Sequence, residues 1–116
     1  MPRRRSPADL QTFKAEFFRA LAHPTRIRIL ELLSLGDRSV QELQRALALD
    51  QPIISQQLSL LRMRQIVRAR KLGTTIRYAL RDPLITEMLE TARAMFDNHL
   101  VGTQEMLRQL RAEQQT

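Results

Sequence analysis

Apolar positions recur along this chain first at helical spacing, then at strand spacing, then at helical spacing again. Leu10, Phe13, Phe17 and Leu21 fall at i, i+3, i+7 and i+11 and predict a first helix with these four as its buried stripe, opened by Ser6 as N-cap and Pro7 at its first position. Of the four Phe residues, three (Phe13, Phe17, Phe18) lie in this stretch, more than one helix of a small domain needs inside, so part of that surface is expected to meet another subunit. His23-Pro24-Thr25 breaks the run and opens a second helix through Ser34, with His23 as a structural cap, Ile27, Leu30 and Leu33 inward, and Gly36 just past its end. A shorter helix begins at Ser39, with Val40, Leu43 and Leu47 inward and Glu42 at capping-box distance from Ser39. Through Leu49-Asp50-Gln51 it runs into a further helix, Gln51 to Arg62, whose apolar stripe is Ile54, Leu58 and Leu61. The period then changes. Ile66 to Lys71 and Thr75 to Leu80 read as two short strands about Leu72-Gly73-Thr74, with Ile76, Tyr78 and Leu80 alternating against Thr75, Arg77 and Ala79. Asp82-Pro83 opens a last helix, expected over 82–111, in which Ile85, Leu89, Ala92, Phe96, His99, Thr103, Met106 and Leu110 form a heptad-like seam weakened in its middle by His99 and Thr103. Such a helix is roughly 45 Å long, more than so small a domain covers by itself, and pairing with its twin is its natural use.

Two short helices joined by a few residues and followed by a hairpin predict a mainly α chain built as a winged helix-turn-helix, with five helices, a two-stranded wing, and a homodimer through the first and last helices. The domain is expected over residues 7–112, preceded by a disordered basic arm at residues 1–6 carrying Arg3, Arg4 and Arg5. Opposite its apolar stripe, the helix from Gln51 presents Ser55, Gln56, Ser59 and Arg62. A merely solvated face usually carries Glu and Lys at salt-bridge spacing, whereas this one carries uncharged donors and acceptors able to meet phosphates and base edges. The helix is therefore expected to enter a DNA major groove.

Charge sharpens that expectation. The chain of 116 residues carries a formal charge of +7, and from Gln51 to Arg81 there are seven basic residues and no acid. Elsewhere twelve basic residues balance twelve acids, so the whole excess lies on the reader helix and the hairpin segment after it, as a polyanionic partner requires. The residues expected at double-stranded DNA are Ser39, Gln51, Ser55, Gln56, Ser59 and Arg62 on the helices, Arg64 and Arg68 beyond them, and Lys71, Thr74, Thr75 and Arg77 on the wing. Those expected at the dimer interface are Leu10, Phe13, Phe17, Leu89, Ala92, Phe96, His99, Thr103 and Met106.

Cysteine is absent, which removes thiolate metal sites, disulfides and thiol-based sensing. No apolar run approaches the roughly 20 residues of a membrane span, and the basic start is not followed by the apolar segment of a secretory signal. The expected location is the cytoplasm. Two histidines, no cysteine and no Gly-rich phosphate loop leave no nucleophile–base–acid set, so enzymatic activity and cofactors are not expected. The rival reading is a nucleoid-type or scaffold DNA-binding protein without a ligand switch. The low charge of the reader face argues against it, since pure backbone binders favour Lys and Arg.

Residues 17–33 (F-F-R-A-L-A-H-P-T-R-I-R-I-L-E-L-L), residues 39–62 (S-V-Q-E-L-Q-R-A-L-A-L-D-Q-P-I-I-S-Q-Q-L-S-L-L-R) and the G-T-T-I-R-Y of residues 73–78 resemble the ArsR/SmtB family of bacterial winged-helix regulators. The resemblance spans about residues 10–100. It implies a dimeric repressor of a palindromic operator, usually released by an inducer, often a metal ion, with Gln51, Ser55 and Gln56 at the operator. The chain departs from the family's sensor motifs. Where the family's metal sensors carry C-x-C at the start of the third helix, this chain has Ser39 and Gln41. Of the D-x-H-x10-H-x2-[EH] pattern on the last helix only Asp82 remains; Leu84, Met95 and Asn98 occupy the other positions. Asp97 and His99 diverge on a helix, and no metal site is expected. Histidine is common in the family where Gln57 stands, so base preference is expected to differ. The effector, small molecule or protein, is not named by the sequence.

Overall fold

The computed structural model describes residues 7–114; the arginine arm and the Ser6 cap lie outside these. Five helices and three strands follow in the order α1 (Pro7–Leu21), α2 (Pro24–Leu33), β1 (Arg38–Ser39), α3 (Val40–Leu47), α4 (Gln51–Met63), β2 (Val67–Leu72), β3 (Thr75–Leu80) and α5 (Leu84–Gln114). Among the described residues, those up to Ile85 form one compact unit and those from Thr86 on a second.

Local chemistry sets most of the boundaries in the first unit. His23 caps α2 by accepting the Thr25 N–H at Nδ1 over 3.1 Å, as expected of a histidine beside a first-turn proline. Ser39 and Glu42 form the capping box of α3, with Glu42 N–H donating to Ser39 Oγ at 3.2 Å and the Glu42 carboxylate accepting from Ser39 N–H at 3.4 Å. Ala48 ends α3 in the left-handed region at φ 54°, turning the chain towards Asp50, which stands at the N-cap of α4 without a side-chain cap bond. At the tip of the wing, Gly73 has φ 62° in a two-residue connection between the paired residues Leu72 and Thr75. A positive φ at the first central position is what a II′ hairpin turn demands.

The core is built from Ile29, Leu30 and Leu33 of α2, Leu43 and Leu47 of α3, Ile54, Leu58 and Leu61 of α4, with Ala20, Ile66, Val67 and Ile85 around them. The α4 stripe is where periodicity places it: Ile54 and Leu61 are wholly buried and Leu58 is 1 % exposed. Four expectations need correction. In α2 it is Ile29, not Ile27, that joins Leu30 and Leu33 inside; Ile27 is 38 % exposed. Among the described side chains of α1, it is Ala20 that is buried; Phe17 and Leu21 are half-buried, and Leu10 and Phe13 are exposed. The wing is part of a three-stranded antiparallel sheet in the order β1-β3-β2, because Arg38 and Ser39 pair with Tyr78 and Arg77. Two residues are too few for a period of two to register. The last helix continues past residue 111 to Gln114, and Asp82 accepts the Leu84 N–H at its start. In the second unit, Phe96, His99, Thr103 and Met106 are all exposed, and the Thr103 hydroxyl bonds back to the His99 carbonyl at 2.9 Å.

Candidate nucleic-acid interface

Burial of Ile54, Leu58 and Leu61 fixes the rotation of α4 and turns Gln51, Gln56, Ser59 and Arg62 to solvent, with Ser55 half-buried beside them. On that face the Gln51 amide donates to Ser55 Oγ at 3.0 Å, one turn along, so the two side chains hold each other before any ligand arrives. Gln57 points elsewhere: its Oε1 accepts from the Arg26 guanidinium at 2.9 Å. Arg26 also donates to the Ala20 carbonyl at 2.6 Å and to that of Arg19 at 3.4 Å, tying the end of α1 and the start of α2 to the reader helix. The Gln57 amide oxygen is thus engaged within the fold.

Three of the seven cations of the acid-free tract are ion-paired to acids outside it. Arg64 meets Glu16 at 2.8 Å, Arg70 meets Asp37 at 3.7 Å and Arg77 meets Glu42 at 2.6 Å. Arg77 additionally donates to the Asp37 carbonyl at 2.7 Å, so it clamps β3 onto the N-terminus of α3 and the β1 approach. The Arg77 guanidinium above all, helped by the Ser39 N–H and hydroxyl, holds the Glu42 carboxyl below the usual carboxylate range against the opposing effect of desolvation. Arg62, Arg68, Lys71 and Arg81 form no ion pair among the described residues; Arg81 donates to the Gln65 side chain.

Of the residues expected at DNA, the helix face and the wing tip are exposed in one compact unit: Gln51, Gln56, Ser59, Arg62, Arg64, Arg68, Lys71, Thr74 and Thr75 all reach solvent. Ser39 does not fit its expected place. It is 5 % exposed and its hydroxyl is engaged in the capping box, so it supports α3 from within. Arg77 is half-buried in its clamp. Sequence reasoning missed Glu16, Asp37, Glu42 and Arg26 as partners of the basic tract. Only the Ser39–Glu42 spacing was visible locally, since each partner lies 31 to 48 residues away in the chain. No group of three or more His, Cys, Asp or Glu among the described residues is placed to hold a metal ion. No helix of those residues is long and apolar enough to cross a membrane.

Residues 23–69 match the model of the bacterial regulatory protein family named for arsR. The chain is 45% identical over 104 residues to the uncharacterized HTH-type transcriptional regulator Rv0081 of Mycobacterium tuberculosis, covering 89% of this chain and 91% of that one. The crystal structure of Rv0081 superposes with a TM-score of 0.77 over 85% of this chain and 98% of that chain, at 44% identity. A probable mercury resistance operon repressor from Streptomyces lividans is 37% identical over 81 residues, 70% of this chain and 65% of that one. The solution structure of the homodimeric winged helix-turn-helix DNA-binding domain of Mb0332 from Mycobacterium bovis matches with a TM-score of 0.76 at 28% identity, over 86% of this chain and 94% of that one. With its winged helix-turn-helix and its match to regulators along nearly its whole length, the chain belongs to the ArsR family of bacterial transcriptional regulators.

Proposed function

We propose that the protein is a cytoplasmic homodimeric repressor that reads an imperfect palindrome, with α4 of each protomer in successive major grooves about one DNA turn (~34 Å) apart. The observation that carries this reading is the two-faced α4. Its apolar side is sealed at Ile54, Leu58 and Leu61, while amide and hydroxyl groups of Gln51, Gln56 and Ser59 line its solvent side, ending at Arg62. Gln56 is the leading candidate for bidentate contact to an adenine edge, the pairing that suits a carboxamide. Arg62, Arg68 and Lys71 supply phosphate contacts, and Thr74 and Thr75 bring the wing tip to the adjacent backbone.

Dimerisation is supported by large apolar side chains that reach solvent on α1 (Leu10, Phe18) and on α5 (Phe96, Leu100, Met106, Leu107, Leu110). The homodimeric Mb0332 domain offers a precedent. Release from the operator is assigned to an effector other than a thiolate-bound metal, because the chain contains no cysteine. DNase footprinting across promoter fragments, its own included, tests the proposal. It predicts discrete protected sites with two-fold symmetry; continuous coverage at all concentrations would instead describe a non-specific DNA-coating protein.

A further inference from the structure

Between the C-terminal half of α1, the start of α2 and the C-terminal half of α4 lies a cleft of about 160 Å³, lined by Glu16, Arg19, Ala20, Arg26, Leu60 and Arg64. Three guanidiniums face one carboxylate there. Arg26 is held by its bonds to Ala20, Arg19 and Gln57, one from each guanidinium nitrogen, so the group is fixed in place while two of its five N–H groups remain. Arg64 has one carboxylate partner, Glu16, through a bridge whose side chains are 45% and 38% exposed, so it exchanges readily for another anion. Leu60 and Ala20 supply apolar wall between the charges.

We propose that this cleft binds a small organic carboxylate. Its anionic head sits among Arg19, Arg26 and Arg64, displacing Glu16 from Arg64, and its short apolar body lies against Leu60 and Ala20. A cavity of about 150 Å³ accommodates benzene, so a ligand of roughly six to nine heavy atoms fits. The excess of cations over acids in the lining favours a bound anion over a neutral molecule, and charge-assisted bonds from guanidiniums are the strong ones for a carboxylate. Because Arg26 also holds Gln57, occupancy of the cleft reaches the flank of α4. That consequence rests on the DNA-binding reading; the site itself does not.

The test uses the full chain without DNA, titrated with benzoate at low ionic strength and followed by amide chemical shifts. The expected result is saturable movement of the Glu16, Ala20, Arg26, Leu60 and Arg64 signals, with none from benzamide, which has the same ring and no charge. Glu16→Gln removes the competing carboxylate and should tighten benzoate about two- to fivefold, whereas Arg19→Gln should weaken it by a similar factor. Circular dichroism of both surface variants confirms that each is folded. Lack of saturation up to about 20 mM in both wild type and Glu16→Gln would overturn the proposal, as would equal shifts from benzamide. It would also be overturned if Glu16→Gln tightened random duplex while benzoate stayed unbound, which would give these guanidiniums to a DNA phosphate.

Discussion

Gln56 and Gln57 are neighbours with the same side chain and different surroundings. One helical step of about 100° separates them; Gln56 is exposed on the open face of α4, while Gln57 is bound to Arg26. Gln56→Ala should therefore lower affinity for the specific site by ~1–3 kcal/mol while leaving affinity for random duplex nearly unchanged, a contrast read by fluorescence anisotropy on paired probes. Gln57→Ala should show up in stability first, because it leaves the Arg26 fork short of an acceptor. Glu42 carries the second prediction at this scale. Bonds from Arg77 and Ser39 depress its pKa in the folded chain, so ionised Glu42 stabilises the fold at neutral pH. That contribution is lost as pH falls through the ordinary carboxylate range and then through the depressed folded value. Wild type should thus melt above Glu42→Gln at neutral pH, and the gap in Tm should close as the buffer is taken from about pH 6 towards pH 3.

At the scale of elements, the strongest periodicities predicted the best. The α4 stripe is buried where its period places it, and the capping box announces α3 ahead of any packing argument; the alternation in β3 found the strand but not its covered face, since Ile76 is 45% exposed and Arg77 to Leu80 are all half-buried. What escaped sequence reading was non-local. The β1 strand is two residues long and exists only because β3 lies beside it, and the Arg77–Glu42 clamp joins residues 35 apart. Charge counting along the chain also overstated the cations open to a phosphate, since Glu16, Asp37 and Glu42 return from other elements to pair with three of them. On α1, phenylalanine spacing was legible, but which face this chain covers was not: Phe17 and Phe18 stack edge-on with ring centres 5.6 Å apart, and Phe18 remains 60% exposed. The rotation of α4 can be tested through its core side. Leu58→Ala removes a side chain that is 1 % exposed and should cost about 2–5 kcal/mol in urea unfolding. Ile53→Ala, at a position 41% exposed, should cost under ~1 kcal/mol. Similar losses at both positions would mean that α4 is rotated from the orientation described.

Across the whole molecule, the proposed function depends on which cations the chain leaves without an ion pair. Four cations of the acid-free tract, Arg62, Arg68, Lys71 and Arg81, carry no ion pair among the described residues. Two copies supply eight of these, so a dimer neutralising ~6–8 phosphates should show log affinity falling against log salt with a slope of about −5 to −7. A slope near half of that range would indicate that a single protomer engages the duplex. The central claim is that the open face of α4 and the tip of the wing touch duplex DNA. Its most direct test is an amide-shift titration of the full chain with a set of promoter duplexes at low ionic strength. The signals of Ser55, Gln56 and Thr74 should move, and move furthest with one duplex of two-fold symmetry. If those three stay still for every duplex while the chain remains folded, the claim is contradicted.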